Sequence, residues 1–486
     1  MSEEESLDPN DWSEVRALGH RMMDEALDHL AGLRDRPVWQ EMPPDVRGAF
    51  TAPLPRDGIG VGAAYEAMVR TVRPYPMGNI HPRFWAWYMG AGNIVGALGD
   101  FLAAIDGSNL GGGNTAAAAV ERQVIRWMAE IAGFPAGAGG TLTSGGSVAN
   151  LIGLTVARNA MAGRDVRADG VGGLTLRYYA SDQAHSCHYK AMEIMGLGHK
   201  ALRLILSDAA GRLAPDALAR AVAEDRAAGL TPIAVIGSAG TVNTGAFDDL
   251  SALADFSAAE GLWFHVDGCI GAVLKLSPAH SALTKGMERA DSLALDPHKW
   301  LHAPFEAGCA LVRDGRRQYA TFALHPEYLE EKPRGVAGAE YLFDYGIDLS
   351  RGFKALKVWM ALQAYGTDKF GRLIDQNIAQ CRRLAARIGA EPMLELMAPV
   401  TINIVCFRYR PPGLDESALK ALNSEIMFRL QEAGTAVPTD TMLGGRHSLR
   451  VAVVNHRTRD EDLDLLVAEV LRIGAEVEAE VEAGTT

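Results

Sequence analysis

Short apolar runs alternate with helical patterns through the middle of the chain, between about residues 140 and 315. The runs are continuous rather than alternating, which is typical of strands that are buried on both faces of a parallel sheet. The predicted strands are residues 174–180, 232–238, 262–267, 292–296 and 308–313. The pattern therefore predicts an α/β fold with a mainly parallel sheet.

The two ends of the chain have different patterns. Residues 1–80 combine a helical stretch with Pro-rich connections, a composition that seldom forms a core of its own. After about residue 355 an amphipathic helix is followed by apolar runs at 401–408 and 448–454, and Thr458-Arg-Asp-Glu461 is a capping box for a final helix. We therefore expect three parts: a helical dimerisation arm (1–80), a large domain (81–355) and a small α+β domain (356–486).

Composition and charge narrow the possible partners and location. Lys plus Arg total 47 and Asp plus Glu total 60, so the net charge is −13, which disfavours nucleic acid and anionic membranes as partners. The acidic N-terminus and the lack of a long apolar run predict neither a signal peptide nor a membrane span. Scattered cysteines without Cys-x-x-Cys spacing indicate a reducing compartment and no structural zinc, so we expect a cytoplasmic protein without a metal.

Ligands of open α/β sheets bind at the carboxyl ends of the strands, where this sequence places unusual residues. Ser144-Gly-Gly-Ser147 leads into a helix whose free N–H groups could hold a phosphate, although a plain tight turn is the commoner reading of this motif alone. Asp267 ends a buried strand and must be paired there, as a helix cap, a salt bridge or a ligand contact. His185 and Lys299 also follow predicted strands, and a lysine in that position is ordinarily a surface residue.

Together these groups match the needs of pyridoxal 5′-phosphate (PLP). The cofactor requires a phosphate cradle, a carboxylate at its pyridine nitrogen, an imidazole against its ring and a lysine amine for its aldehyde. Desolvation is expected to lower the pKa of Lys299, so that the neutral amine is available as the nucleophile. The combination predicts a PLP site.

The sequence also resembles the group II PLP-dependent decarboxylases of fold type I, typified by aromatic-L-amino-acid decarboxylase and glutamate decarboxylase. The resemblance is good over about residues 75–360. The motifs that carry it are His81-Pro-Arg-Phe84, Thr143-Ser-Gly-Gly-Ser-Val-Ala-Asn150, Ser181-Asp-Gln-Ala-His185-Ser, Gly240-Thr-Val-Asn-Thr-Gly245, His265-Val-Asp267 and Asp296-Pro-His-Lys-Trp-Leu301. Several such motifs in the family's order are far more specific than any one of them.

The resemblance implies a role for each matching position. Lys299 would form the Schiff base, Asp267 would face the pyridine nitrogen, and His185 would stack on the ring. The residues expected around the phosphate are Gly146, Ser147, Asp296 and His298. The family also implies a homodimer with its active sites at the subunit interface.

A mobile loop of the family carries a tyrosine that returns a proton to Cα after carbon dioxide leaves. His325-Pro-Glu-Tyr328-Leu329 is similar to that loop, so Tyr328 is the candidate general acid, with an ordinary loop tyrosine as the alternative. Members that form aldehydes typically differ at this tyrosine or at the stacking histidine. Tyr328 and His185 together therefore favour simple decarboxylation.

Aromatic residues fall where the family builds its substrate pocket. Trp87 and Tyr88, with Trp85 beside them, suggest an aromatic or apolar substrate, unless they are core or dimer contacts. Arg83 and Arg351 are available for an acidic substrate, which therefore stays open.

Several positions depart from the family pattern, and rival functions follow from them. Gly268-Cys269-Ile270-Gly271, Gly90, Val242 and Asp296 replace residues usual in aromatic decarboxylases, so the pocket is altered. The run from His265 to Gly271 also resembles sphingosine-phosphate lyase, which makes a PLP-dependent carbon–carbon lyase one alternative. An aldehyde-forming decarboxylase and a decayed scaffold protein of the same fold are the others.

Overall fold

The larger sheet of the computed structural model, which describes residues 5–326 and 332–482, contains seven strands. They are β1 (Gly139–Thr143), β2 (Leu176–Ser181), β3 (Leu202–Ile205), β4 (Thr231–Ser238), β5 (Trp263–Asp267), β6 (Ser292–Leu295) and β7 (Gly308–Val312). Their order is β1-β7-β6-β5-β4-β2-β3, and all neighbours are parallel except at β7. The predicted mainly parallel sheet is confirmed, and all five predicted strands are present to within a few residues.

Strand β7 is antiparallel to both of its neighbours, β6 and β1. A parallel pair needs a long crossover, usually a helix, whereas the connection between β6 and β7 contains no α-helix. The chain therefore turns back beside β6, and this connection carries Asp296, His298 and Lys299. Because β1 is antiparallel to β7, it runs in the same direction as β6, and its carboxyl end lies at the same edge of the sheet.

Two helices that flank the larger sheet, α5 and α10, begin and end at residues with clear capping chemistry. Thr115 and Asp249 accept backbone N–H bonds at the first turns of α5 and α10, and Gly133 and Gly261 end these helices in the left-handed conformation. The helices are α1 (Trp12–Ala31), α2 (Pro44–Ala49), α3 (Val61–Thr71), α4 (Ile94–Asp106), α5 (Ala116–Ala132), α6 (Gly146–Met161), α7 (Val166–Asp169), α8 (Cys187–Ile194), α9 (Pro215–Ala227), α10 (Leu250–Glu260), α11 (Gly315–Phe322), α12 (Lys354–Tyr365), α13 (Thr367–Ala390), α14 (Glu416–Glu432) and α15 (Asp460–Glu482).

A second, antiparallel sheet of four strands lies in the C-terminal part of the chain. Its strands are β8 (Leu394–Leu396), β9 (Ile404–Tyr409), β10 (Thr439–Leu443) and β11 (Arg446–Ala452), in the order β10-β11-β9-β8. Gly444 and Gly445 join β10 to β11, both with positive φ, as tight two-residue hairpins require. Its core includes Phe407, Leu449 and Leu466.

The chain before α4 connects the two sheets. Phe84 forms a parallel bridge with Val437, and the carbonyl of Trp85 accepts a hydrogen bond from the N–H of Ala452. This pairing carries the following residues, Trp87 and Tyr88, to the edge of the larger sheet. Within the described residues, no helix combines the length and the apolar character needed to cross a membrane.

Candidate active site

A cavity of about 540 Å³ lies at the carboxyl edge of the larger sheet. Its lining comes from the ends of β1, β2, β4, β5 and β6, and from the edge of the small sheet. It brings together the predicted residues Trp87, Tyr88, Gly146, Ser147, His185, Asp267, Asp296, His298 and Lys299. The volume is in the range of cofactor and small-ligand sites.

Lys299 and Asp296 form an ion pair at the bottom of this cavity. The distance from Nζ to Oδ2 is 3.0 Å, and the Asp296 side chain is almost fully buried. Burial alone would lower the pKa of Lys299, but the nearby carboxylates of Asp296 and Asp267 outweigh it and raise that pKa. The predicted lowering of the Lys299 pKa is therefore wrong, because two anions accompany the amine into the interior.

Asp267 is paired with a second histidine. Its Oδ2 lies 3.1 Å from Nε2 of the fully buried His188, and the Cys269 N–H donates to its Oδ1 at 3.2 Å. Burial would raise the pKa of this carboxyl, but the His188 hydrogen bond and charge hold it well below its usual range. Asp267 is therefore ionised and can face a protonated ring nitrogen.

His188, Asp267 and Cys187 have their ligand atoms within 4.8 Å of one another. Burial raises the pKa of the Cys187 thiol, which disfavours the thiolate that a metal would need. His188 Nε2 and Asp267 Oδ2 already bond each other, while His188 Nδ1 is buried without a partner among the described residues. The trio therefore fits the nitrogen edge of an aromatic cofactor better than a metal ion.

The two histidines that line the cavity, His185 and His298, have fixed tautomers when neutral. Nδ1 of His185 accepts the N–H of Cys187 and Nδ1 of His298 accepts that of Ala307, both at 3.1 Å, so the proton of each ring is on Nε2. Burial lowers the pKa of both rings, which favours these neutral forms. The His298 ring stacks on Phe305 with centroids 4.5 Å apart, whereas His185 stands open to the cavity.

The turn after β1 forms an anion cradle. Helix α6 begins at Gly146, and Gly145 before it offers no capping side chain, so the first N–H groups stay available. A Cβ at Gly146 would lie 2.4 Å from Cys269 Sγ and 2.8 Å from Asp296 Oδ2, so only glycine fits there. Uncapped amides, an ionised Asp267 and a buried lysine are the donor set that PLP needs.

The aromatic residues near position 87 separate into different environments. Trp87 is 53% exposed at the cavity wall, and the Tyr88 ring centroid lies 6.0 Å from Lys299 Nζ. The Tyr88 hydroxyl bonds Asn403 and so points away from the cavity. Trp85 does not line the cavity. It packs in the core of the small sheet and donates to Thr458, so the expectation that it belongs to the pocket is wrong.

Arg83 and Arg351, the two arginines that an acidic substrate could use, bond other groups of the chain. Arg83 donates to the carbonyl of Thr435, and Arg351 pairs with Glu121 and donates to the carbonyls of Leu110 and Leu142. Neither lines the cavity. Among the described residues that line the cavity, the arginine is Arg450, and its guanidinium donates to backbone carbonyls.

Sequence reasoning missed three residues of the site. His188 stands three residues after His185, just past the motif that ends at Ser186, so its signal lies next to a recognised pattern. Arg450 lines the cavity and donates to the backbone carbonyls of Trp87, Val242 and Asn243. Asn150 contacts both Cys187 and Cys269. The signal that could have identified Arg450 is an arginine within the apolar run 448–454, because a charged residue is rarely buried in a strand without a partner.

The departures from the family pattern also have defined places. A Cβ at Gly90 would lie 1.7 Å from the His298 carbonyl, so the backbone before α4 touches the Lys299 connection directly. The Val242 carbonyl accepts from Arg450, and Cys269 and Ile270 line the cavity. Tyr328 lies outside the described residues, so its role stays a prediction.

Comparisons with known proteins agree with this geometry. The pyridoxal-dependent decarboxylase conserved domain matches residues 65–410. An aromatic-L-amino-acid decarboxylase of Bacillus atrophaeus is 34% identical over 473 residues, which are 96% of each chain. Tryptophan decarboxylase 2 of Oryza sativa subsp. japonica is 28% identical, covering 95% of this chain and 94% of the relative.

Solved structures show the same similarity. The crystal structure of Oryza sativa TDC with PLP and tryptamine superposes with a TM-score of 0.89 at 26% identity, covering 97% of this chain and 100% of that one. With a family match over most of the chain and a lysine, an ionised aspartate and an anion cradle around one cavity, the chain belongs to the pyridoxal-dependent decarboxylase family and is a PLP-dependent amino acid carboxy-lyase.

Proposed function

We propose that this enzyme decarboxylates an aromatic L-amino acid to the corresponding amine. The observation that carries the choice of substrate is the cavity wall, where the exposed ring of Trp87 stands beside Tyr88 and no free arginine is described. Aromatic walls favour aromatic side chains through stacking and burial of apolar area. The names of the relatives from Bacillus atrophaeus and Oryza sativa support the same choice.

Each residue around the cofactor has a separate role in the proposed reaction. PLP, when bound, supplies the electron sink for the electrons released as carbon dioxide leaves. Lys299 anchors the cofactor, and the amides of Gly146 and Ser147 hold its phosphate. Asp267, kept ionised by His188, holds a proton at the ring nitrogen. His185 lies against the ring and directs its Nε2–H into the cavity.

The rest of the cycle is positioning and one proton transfer. Asp296 and His298 fix the connection that carries Lys299, and Arg450 fixes the backbone of Trp87 and Val242. Tyr328 returns a proton to Cα after decarboxylation. The aromatic wall orients the substrate so that the bond to its carboxylate can break, which is how orientation lowers the barrier.

We also propose a cytoplasmic homodimer whose domains are residues 1–80, 81–355 and 356–486. Helix α1 buries none of its residues against the rest of the chain, and Trp12, Met22 and Leu27 are exposed on it. Such exposed apolar residues support contact with a second subunit. All five cysteines are unpaired, which supports a reducing compartment.

Product analysis tests the proposed reaction. The holoenzyme is incubated separately with tryptophan, tyrosine, phenylalanine, histidine, aspartate and glutamate, and the products are identified by mass spectrometry. We expect amines and carbon dioxide from the aromatic substrates only. Amines from aspartate or glutamate would contradict the substrate class. Aldehyde with ammonia, formed with dioxygen as the two-electron oxidant, would support the aldehyde-forming alternative, which is suggested by the 28% identical phenylacetaldehyde synthase of Arabidopsis thaliana.

The lysine assignment has its own control. Lys299→Ala should abolish the visible absorbance of lysine-bound cofactor, whereas Lys285→Ala, at an exposed position, should retain it. Equal spectra for the two variants would exclude Lys299 as the anchor.

A further inference from the structure

The active-site cavity shares one wall with a second cavity. This second cavity, of about 420 Å³, is lined mainly by apolar side chains. They include Trp39, Met77, Phe84, Ala86, Met427 and Val437. Trp87, Thr439 and Asp440 line both cavities and form the wall between them. A carboxylate thus stands in the same partition as the aromatic ring proposed to contact the substrate.

The structure holds this carboxylate in place. Asp440 lies on β10, and its Oδ2 is 3.0 Å from Nε2 of His447 on β11. His447 is 2% exposed, whereas the Asp440 side chain is 45% exposed, so the histidine fixes the carboxylate from behind. The hydroxyl of Thr441, also on β10, donates to Oδ1 of Asn243 and so ties β10 to the loop after β4. Asp440 is therefore a fixed part of the cavity.

Each charged group of the described lining has at least one partner, Asp440 among them. Asp267 is bonded to His188, Asp296 to Lys299, and Glu306 lies 3.3 Å from Lys354. The three nitrogens of the Arg450 guanidinium donate to backbone carbonyls. Asp440 bonds His447 through Oδ2 alone and is 45% exposed, so its Oδ1 is accessible to a ligand, whereas the unpartnered Oδ1 of Asp296 is buried beside Lys299. The Oγ1 atom of neighbouring Thr439 is buried without a partner.

We propose that Asp440 is a specificity-determining residue that accepts a hydrogen bond from the far end of the substrate side chain. The preferred substrates are then aromatic amino acids with an O–H or N–H donor on the ring, such as a phenol or an indole, rather than an unsubstituted phenyl ring. The inference rests on the proposed function. A site that pairs a polar substrate group discriminates against analogues without it, because its own polar group is then left unpaired.

Substrate ratios test this proposal. We expect Asp440→Ala to lower kcat/KM for tyrosine and tryptophan by about 10-fold, the value of one charge-assisted hydrogen bond at a partly open site. The kcat/KM for phenylalanine should change by less than about twofold, since it makes no such bond. Asp440→Asn keeps an acceptor oxygen, so its kcat/KM for tyrosine and tryptophan should lie between that of the wild type and that of Asp440→Ala. Glu306→Gln, a matched change at the paired carboxylate of the same cavity, should leave the ratio of tyrosine to phenylalanine unaltered.

The outcomes distinguish failure of the proposed function from failure of the role of Asp440. If the wild-type enzyme converts no aromatic amino acid, the proposed function fails. If it converts them and Asp440→Ala slows all three substrates equally, or none, the role of Asp440 is refuted. Tyramine and phenethylamine provide a second readout, since binding of tyramine to the holoenzyme should weaken in Asp440→Ala while that of phenethylamine does not. Thermal unfolding shows whether each variant is folded.

Discussion

His265 is buried in the middle of the larger sheet, two residues before Asp267. Its Nδ1 lies 2.8 Å from Ser292 Oγ, and its Nε2 lies 2.7 Å from Asn150 Oδ1. Burial, with a smaller contribution from His188, lowers its pKa from 6.5 to about 3. The folded protein therefore binds fewer protons here than the unfolded chain does, so this residue favours folding fully above pH 6.5 and progressively less as the pH falls towards 3.

This shift predicts acid sensitivity that one variant should reduce. The unfolding equilibrium constant should rise with falling pH by up to about tenfold per pH unit for this one proton. Urea unfolding at pH 7 and pH 5 measures the difference. His265→Asn should be less stable at pH 7 but lose less on acidification, whereas His199→Asn, at an exposed site, should behave as the wild type. An unchanged pH dependence in His265→Asn would contradict the assignment.

The segment before α4 packs directly against the connection after β6. A methyl group at Gly90 would overlap the carbonyls of His298 and Lys299 at 1.7 and 2.7 Å. Both partners are backbone, so they cannot rotate away as a flexible side chain would. The two segments therefore hold each other in register, and with them Trp87 and Lys299.

We expect Gly90→Ala to destabilise the protein by about 3 kcal/mol or more, because backbone must move to admit the methyl group. It should also weaken cofactor binding. Gly62→Ala is the matched control, since nothing lies within 4 Å of the added methyl group in α3 and alanine favours a helix. Thermal unfolding and PLP titration measure the two effects. Equal unfolding temperatures for both variants would show that the segment before α4 and the connection after β6 can move apart at little cost in free energy.

Some elements could be predicted from the sequence, and others could not, for physical reasons. Strand β5 is a continuous apolar run ending in Asp267, so both the strand and the site residue were recognisable. Strand β10 reads Thr-Asp-Thr-Met-Leu and alternates between half-buried and exposed positions, so it lacks that signal. Asp440 and Arg450 reach the cavity only through packing of the small sheet on the larger one. Local sequence does not show such contacts.

Apolar residues of α4 lie on the surface of the single chain. Phe101, Leu102 and Ile105 are 53%, 47% and 74% exposed. Exposed apolar groups clustered on one helix are typical of a subunit interface. They support the proposed homodimer and suggest that α4, which follows the substrate-facing segment, contacts the second subunit.

Charges on this surface should separate the subunits. The double variant Phe101→Glu with Ile105→Glu is expected to sediment as a monomer, because two carboxylates would have to be buried at the interface. Phe428→Glu, on α14 of the small domain, is the control for added charge and should sediment as a dimer. Analytical ultracentrifugation measures both. A monomeric wild type would refute the homodimer. A dimeric double variant would show that the interface does not include this face of α4.

The antiparallel strand β7 has a consequence for biosynthesis. Strand β1 has β7 as its neighbour in the sheet, with Thr143 opposite Gly308, and a Cβ at Gly308 would collide with Gly145. The turn that forms the anion cradle is translated early, yet its supporting strand leaves the ribosome only after most of the larger sheet. The cradle is therefore completed late, and a nascent chain truncated before β7 should have no capacity to capture the vitamin-derived cofactor.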